Sequence, residues 1–193
     1  PESFVKQAVS FAPFFGRRGG ITFSGGEPTV QAEALVPLFK MLREQHIHIC
    51  VDSNGAIWNK HVEELWGLTD LVMLDIKEFN AERHQHITGR SNEQPLRTAR
   101  WFEDNNHLFW LRYVLVPGVS DFEEDLHALG QHFKDYVWLE KVQLLPYHTL
   151  GVHKYEALGW DYQLKDVSEN TPEQKKRAEE ILRSYFGQKL EVH

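Results

Sequence analysis

The 193-residue sequence predicts an α/β fold built on a parallel sheet. Three observations carry that expectation. Short apolar runs of strand type alternate with stretches of helical periodicity along the whole chain. Runs such as Val72-Met73-Leu74 are continuously apolar, as in strands covered on both faces. Each run also ends in polar or charged residues, and parallel α/β folds bind ligands at the carboxyl ends of their strands.

In chain order, Phe4, Val5, Ala8, Val9, Phe11 and Ala12 recur at helical spacing. A strand follows at Gly20-Ile21-Thr22-Phe23-Ser24 and ends in a Gly-Gly turn. Leu35, Leu38, Phe39 and Leu42 form the next helical stripe. Pro37 within it is tolerable only in a first turn, so this helix is expected to start near Glu33. Residues 47–52 read as a strand, 59–66 as a helix and 71–76 as a buried strand. Helices near 81–87 and 95–105 lead to a long strand at 108–116, where Trp110 is expected to join the core. Ser120, with Glu123 three residues on, has the pattern of a capping box and is expected to open the next helix. A strand at 142–145 and a loop over 146–170 follow. Thr171, Pro172 and Gln174 then announce a capped helix, and a strand at 189–192 closes the chain. The alternation implies right-handed crossovers. No linker or low-complexity tract divides it, so residues 1–193 are expected to form one domain, an open sheet or a partial barrel.

Composition narrows the function. With 21 Lys and Arg against 28 Asp and Glu, the net charge is −7, which argues against nucleic acid as a partner. No apolar run has the length of a membrane span, and nothing resembles a signal peptide. The single cysteine, Cys50, fits a reducing, cytoplasmic compartment and reads as a small buried hydrophobe.

The strand ends gather Ser24-Gly25-Gly26-Glu27-Pro28, Asp52-Ser53-Asn54-Gly55, Asp75-Ile76-Lys77, Arg112 before Pro117-Gly118, and Pro146-Tyr147-His148. Each piece has a plain alternative: a glycine turn, an Asn-Gly turn, a rim ion pair. Together they place five polar endings on one rim, at a desolvation cost that a purely structural domain has no reason to bear. The alternating pairs His46/His48 and His84/His86 lack the Cys or Glu support of a metal site.

These motifs, in this order, resemble the glycyl-radical activating enzymes of the radical S-adenosylmethionine (SAM) class, and among them those that act on pyruvate formate-lyase. The likeness runs from about Gly20 to the end and includes Leu150-Gly151-Val152-His153-Lys154-Tyr155. It implies a partial, open (β/α) barrel, SAM as cofactor, a [4Fe–4S] cluster, pyruvate formate-lyase as protein partner and an electron donor such as flavodoxin. Carried over by motif, Gly25, Gly26 and Glu27 would hold the SAM amino group. Asp52 and Ser53, with Met73 and Asp75, would lie by its carboxylate and a monovalent cation. Lys77 and Arg112 would meet the carboxylate and neighbouring polar groups, and His148 would line the site. A zwitterionic sulfonium needs such an acid and such cations.

One departure is large. The family holds its cluster with Cys-x3-Cys-x2-Cys, on a loop that precedes everything matched here, and this sequence has no such motif. The first strand and cluster loop are thus expected to be missing at the amino-terminal end, the 21–23 strand is expected to be an exposed edge prone to pairing, and the chain alone is expected not to cleave SAM reductively. Two other readings stand beside this one: a cluster-less relative that binds SAM or a partner, and an aldolase-like barrel forming a Schiff base on Lys77.

Overall fold

The computed structural model describes residues 1–16, 19–150, 153 and 157–193. Of the segment 150–155, only Leu150 and His153 are therefore among the described residues. The elements are α1 (Glu2–Phe15), β1 (Ile21–Phe23), α2 (Ala32–Glu44), β2 (Ile49–Ser53), α3 (Lys60–Leu68), β3 (Leu71–Asp75), α4 (Ala81–Thr88), α5 (Glu93–Asp104), β4 (Phe109–Leu115), α6 (Glu123–Phe133), β5 (Leu139–Pro146), α7 (Pro172–Phe186) and β6 (Leu190–Val192). One six-stranded sheet runs in the order β1-β2-β3-β4-β5-β6. It is parallel and open, with β1 and β6 as its edges. No helix of the described residues is long and apolar enough to cross a membrane.

The chain divides into two compact units, and β4 and β5 each begin in the first and end in the second. The first comprises residues 1–76, 93–111 and 137–140. Here β1 pairs with β2 and β2 with β3, with Thr22 opposite Cys50 and Asp52 opposite Met73. Helix α2 buries Val36, Phe39 and Leu42, one stripe at helical spacing, and the Phe39 ring meets Phe23 of β1 at 4.6 Å. A 3-10 turn, Pro28–Gln31, leads into α2, which starts at Ala32, so Pro37 falls in the second turn and not the first. Helix α3 is capped by the Asn59 side chain, which accepts from the amides of His61 and Val62.

The core of this unit is aromatic. Trp66 and Phe102 are fully buried and meet edge to face at 5.4 Å. Trp110 is not a core residue: β4 alternates buried and half-buried positions, Trp110 falls on the half-buried side, and its indole donates to Glu140 at 2.7 Å. The amino ends of the strands are tied by polar groups. Asp70 accepts from the Ile49 amide at 2.8 Å and from Arg43 at 2.9 Å, and the His107 Nε2 lies 3.0 and 2.9 Å from the carbonyls of Trp66 and Thr69.

The second unit comprises residues 77–92, 112–136 and 141–193. Strand β5 pairs with β6, Val142 opposite Leu190. Helices α6 and α7 pack on each other, α6 burying Leu126 and Leu129 and α7 burying Ile181 and Leu182, and approach closely at Gly130, where a Cβ would stand 2.3 Å from the Tyr185 ring. Ser120 does not cap α6, which begins at Glu123 with no side-chain cap. Its hydroxyl instead donates to the Val114 carbonyl at 2.7 Å and accepts from the Val116 amide at 2.9 Å, closing the turn after β4. Thr171 does cap α7, and Gln174 completes the reciprocal box.

Candidate active site

The strongest arrangement in the first unit is built around Glu27. The turn after β1 leaves Glu27 half-buried, as the N-cap of the 3-10 turn. Its Oε1 accepts from the Thr29 amide at 3.1 Å, the Thr29 hydroxyl at 2.7 Å and the Ser53 hydroxyl at 2.8 Å. Its Oε2 accepts from the Asn54 amide at 2.8 Å. A carboxylate has about four lone-pair sites, so Oε1 is full and Oε2 keeps one acceptor position. Glu27 therefore fastens the loop after β1 to the loop after β2 and still has one site for a cation.

Gly25 and Gly26 precede it on the exposed surface. Gly25 has φ +115, a conformation that requires glycine, and a Cβ on either residue would meet nothing within 4 Å. The backbone is thus open to a ligand on this side. The loop after β2 is held from beneath: Ser53 accepts from the Gly55 amide at 3.0 Å, and the Thr98 hydroxyl of α5 donates to the Gly55 carbonyl at 2.8 Å. Gly55 has φ +63, and a Cβ there would reach 2.7 Å from Leu74.

Strand alternation divides the expected cation set. Asp52, Met73 and Asp75 are half-buried and share one face of β2 and β3, whereas Ser53 is opposite Leu74 on the other, helix-packed face and is 2% exposed. The Ser53 hydroxyl is committed to Glu27 and Gly55, so only its backbone carbonyl could serve a cation on the Asp52 face. Met73, whose thioether is a poor ligand for a hard cation, could serve only in the same way.

Lys77, Arg112 and His148 belong to the second unit. Lys77 and Arg112 are half-buried, and His148 is exposed. Lys77 precedes Glu78, which sequence reasoning passed over and which is fully buried. Glu78 Oε1 accepts from the amides of Phe79 at 2.6 Å and Asn80 at 3.0 Å, and Oε2 lies 3.1 Å from the hydroxyl of Tyr113, also fully buried. That hydroxyl is 3.0 Å from the Ser120 carbonyl. Burial pushes the Glu78 carboxyl above the ordinary carboxylate range, and the charge of Asp125 adds to it, against the pull of the two amides and Tyr113. Burial likewise raises Tyr113, with Glu78 and Asp125 adding and Arg83 opposing. No signal beyond the motif's own spacing marked Glu78, because burial of an acid follows from tertiary packing.

A pH dependence follows. The unfolded chain releases the Glu78 proton near the ordinary value of 4.5, the folded chain only above it. Between the two the folded state holds the extra proton, so stability falls as pH rises through that window. The loss is expected to be absent in Glu78→Gln, whose amide can donate to Tyr113 at any pH. Thermal melts from acid to neutral pH check this; parallel profiles for the two proteins would count against it.

Among the described residues no three His, Cys, Asp or Glu side chains gather around a metal position. His84 is buried, with Nδ1 2.8 Å from the Arg90 carbonyl, a structural role. Residues 1–129 match the model of the Radical SAM superfamily. The chain is 40% identical over 187 residues to the pyruvate formate-lyase 1-activating enzyme of Escherichia coli K12, covering 95% of this chain and 76% of that one. The chain belongs to the radical SAM superfamily, in the group of pyruvate formate-lyase activating enzymes. It is also 40% identical over 183 residues to the activating enzyme of Streptococcus mutans, covering 92% of this chain and 70% of that one. In the solved structures, a domain of a pyruvate-formate lyase-activating enzyme from Bacteroides vulgatus has the same fold, with a TM-score of 0.74 at 24% identity, covering 90% of this chain and 98% of that one.

Radical SAM enzymes use SAM and a [4Fe–4S] cluster. The residues here fit the first: an open glycine turn, an acid with one acceptor site left, and two further acids, Asp52 and Asp75, on one face of β2 and β3. They do not fit the second. The sequence has one cysteine, and Cys50 is buried within β2, whereas the cluster needs several thiolates.

Proposed function

We propose that this radical SAM chain is the SAM-holding core of the enzyme that installs the glycyl radical of pyruvate formate-lyase. The observation that carries the reading is the Glu27 junction, which holds the open Gly25-Gly26 turn against the end of β2. In this reading the SAM ammonium is met by the remaining Oε2 position and by backbone carbonyls of the turn. The carboxylate is met by Lys77 and Arg112, and His148 lines the site. A monovalent cation would be held by Asp52, Asp75 and the carbonyls of Ser53 and Met73. The residues of this chain would bind and orient SAM. The partners are pyruvate formate-lyase and an electron donor such as flavodoxin, and the compartment is the cytoplasm, in keeping with the lone, buried Cys50.

Calorimetric titration tests the assignment. The chain is expected to bind SAM more tightly than decarboxylated SAM, and Lys77→Met and Arg112→Met are each expected to weaken SAM by about tenfold while leaving the decarboxylated compound unchanged. Equal affinity for the two compounds would sink it.

A further inference from the structure

The buried acid Glu78 has no place in the site as described, yet polar contacts converge on it and on its neighbours. Its Oε1 holds the amides of the two residues that follow it, at 2.6 and 3.0 Å. The carbonyls of Glu78 and Phe79 are in turn held by the Asn92 side chain, at 3.4 and 2.6 Å. Asn80 then caps α4, accepting from Glu82 and Arg83. Both the donors and the acceptors of the segment just after Lys77 are therefore fixed. The other carboxyl oxygen reaches 3.1 Å to Tyr113 on β4, and Tyr113 is braced by the Ser120 carbonyl at 3.0 Å.

A fully buried carboxyl is costly, and this one spends its contacts on backbone position. Lys77 immediately precedes Glu78 and Arg112 immediately precedes Tyr113, and on both segments the buried residue follows a half-buried one. Successive residues of extended chain point to opposite sides. On β4 the Glu78–Tyr113 contact thus lies on the packed side, with Arg112 on the other, and through Glu78 the same contact is tied to the residue that follows Lys77.

We propose that Glu78, through Tyr113, is a positioning residue for SAM recognition: it fixes the backbone of Lys77 relative to that of Arg112, so that the two cations are presented at a set spacing to one carboxylate. This rests on the reading that Lys77 and Arg112 meet the SAM carboxylate. A lysine whose backbone is already held has less to order on binding, and a small displacement of a positioning group is costly.

The test uses Glu78→Ala, Glu78→Gln and Tyr113→Phe in the full chain, with folding verified by thermal melts. The ligand-free readout is the backbone order parameter of Lys77 by NMR relaxation. It is expected near 0.85 in the parent and in Glu78→Gln, and to fall toward about 0.6 in Glu78→Ala. The ligand readout is affinity for SAM against decarboxylated SAM. Glu78→Ala is expected to weaken SAM by about tenfold and the decarboxylated compound hardly at all, Tyr113→Phe to fall between, and Glu78→Gln to stay within about twofold of the parent. An unchanged order parameter in Glu78→Ala overturns the proposal whatever the ligand does, as does equal weakening of both compounds. If Lys77→Met leaves SAM binding untouched while the order parameter falls as expected, the carboxylate reading fails and the clamp stands only as a brace.

Discussion

Glu27→Ala is expected to lower SAM affinity at least about 100-fold and to cost about 3 kcal/mol of stability. Four donors from Thr29, Ser53 and Asn54 lose their acceptor at once, and the site is half-buried, so water replaces only part of what is lost. The two loops then move apart, and the ligand loses both its acid and the backbone beside it. Decarboxylated SAM, which keeps the ammonium, is expected to weaken in parallel, unlike in the Lys77 and Arg112 variants. Glu27→Gln is the informative control: the amide nitrogen, a donor, must face the Asn54 amide or replace the acceptor of three donors. It is expected to fall between the parent and alanine in both melting temperature and affinity. Parent-like SAM binding by Glu27→Ala would remove Glu27 from the site.

Trp66→Ala is expected to cost about 4 kcal/mol, a large part of the 5–15 kcal/mol available to a domain of this kind. The indole is fully buried and shares an edge-to-face contact with Phe102, so its truncation leaves a cavity in the core. Trp66→Phe is expected to cost only about 1 kcal/mol. Among the described residues the buried Trp66 Nε1 has no hydrogen-bond partner, so phenylalanine also removes an unsatisfied donor. Urea unfolding of the two variants measures both. A phenylalanine variant as unstable as the alanine one would show that the indole's shape, not its area, matters.

The order of strand-end motifs was legible in the sequence because chemistry and topology coincide there: a parallel sheet brings its carboxyl ends to one rim, and the polar residues stand where the apolar runs stop. The strands and most helices followed from the same runs, each within a few residues. What was not legible depended on facing. Asp52 and Ser53 are neighbours in sequence, but alternation sends them to opposite faces of β2, so a cation set drawn from sequence mixed two environments. Trp110 and Trp66 are equally apolar; which is core depends on the side of β4 and α3 that meets α5. Ser120 has the spacing of a helix cap, yet the turn after β4 offers its hydroxyl a closer donor and acceptor. Glu27 stood out in the sequence as a candidate site residue, but its four protein donors come from two loops and were invisible until folded.

The opposite end of the sheet, where Asp70 grips Arg43 and the Ile49 amide and His107 reaches the carbonyls of Trp66 and Thr69, holds the strands without touching the rim. Mutational tolerance should therefore be graded along the strand axis. Changes at this floor shift how long the protein survives heat, and changes at the rim shift what it binds. An engineer who wanted a hardier scaffold could reinforce the floor first and leave the ligand's view of the molecule as it is.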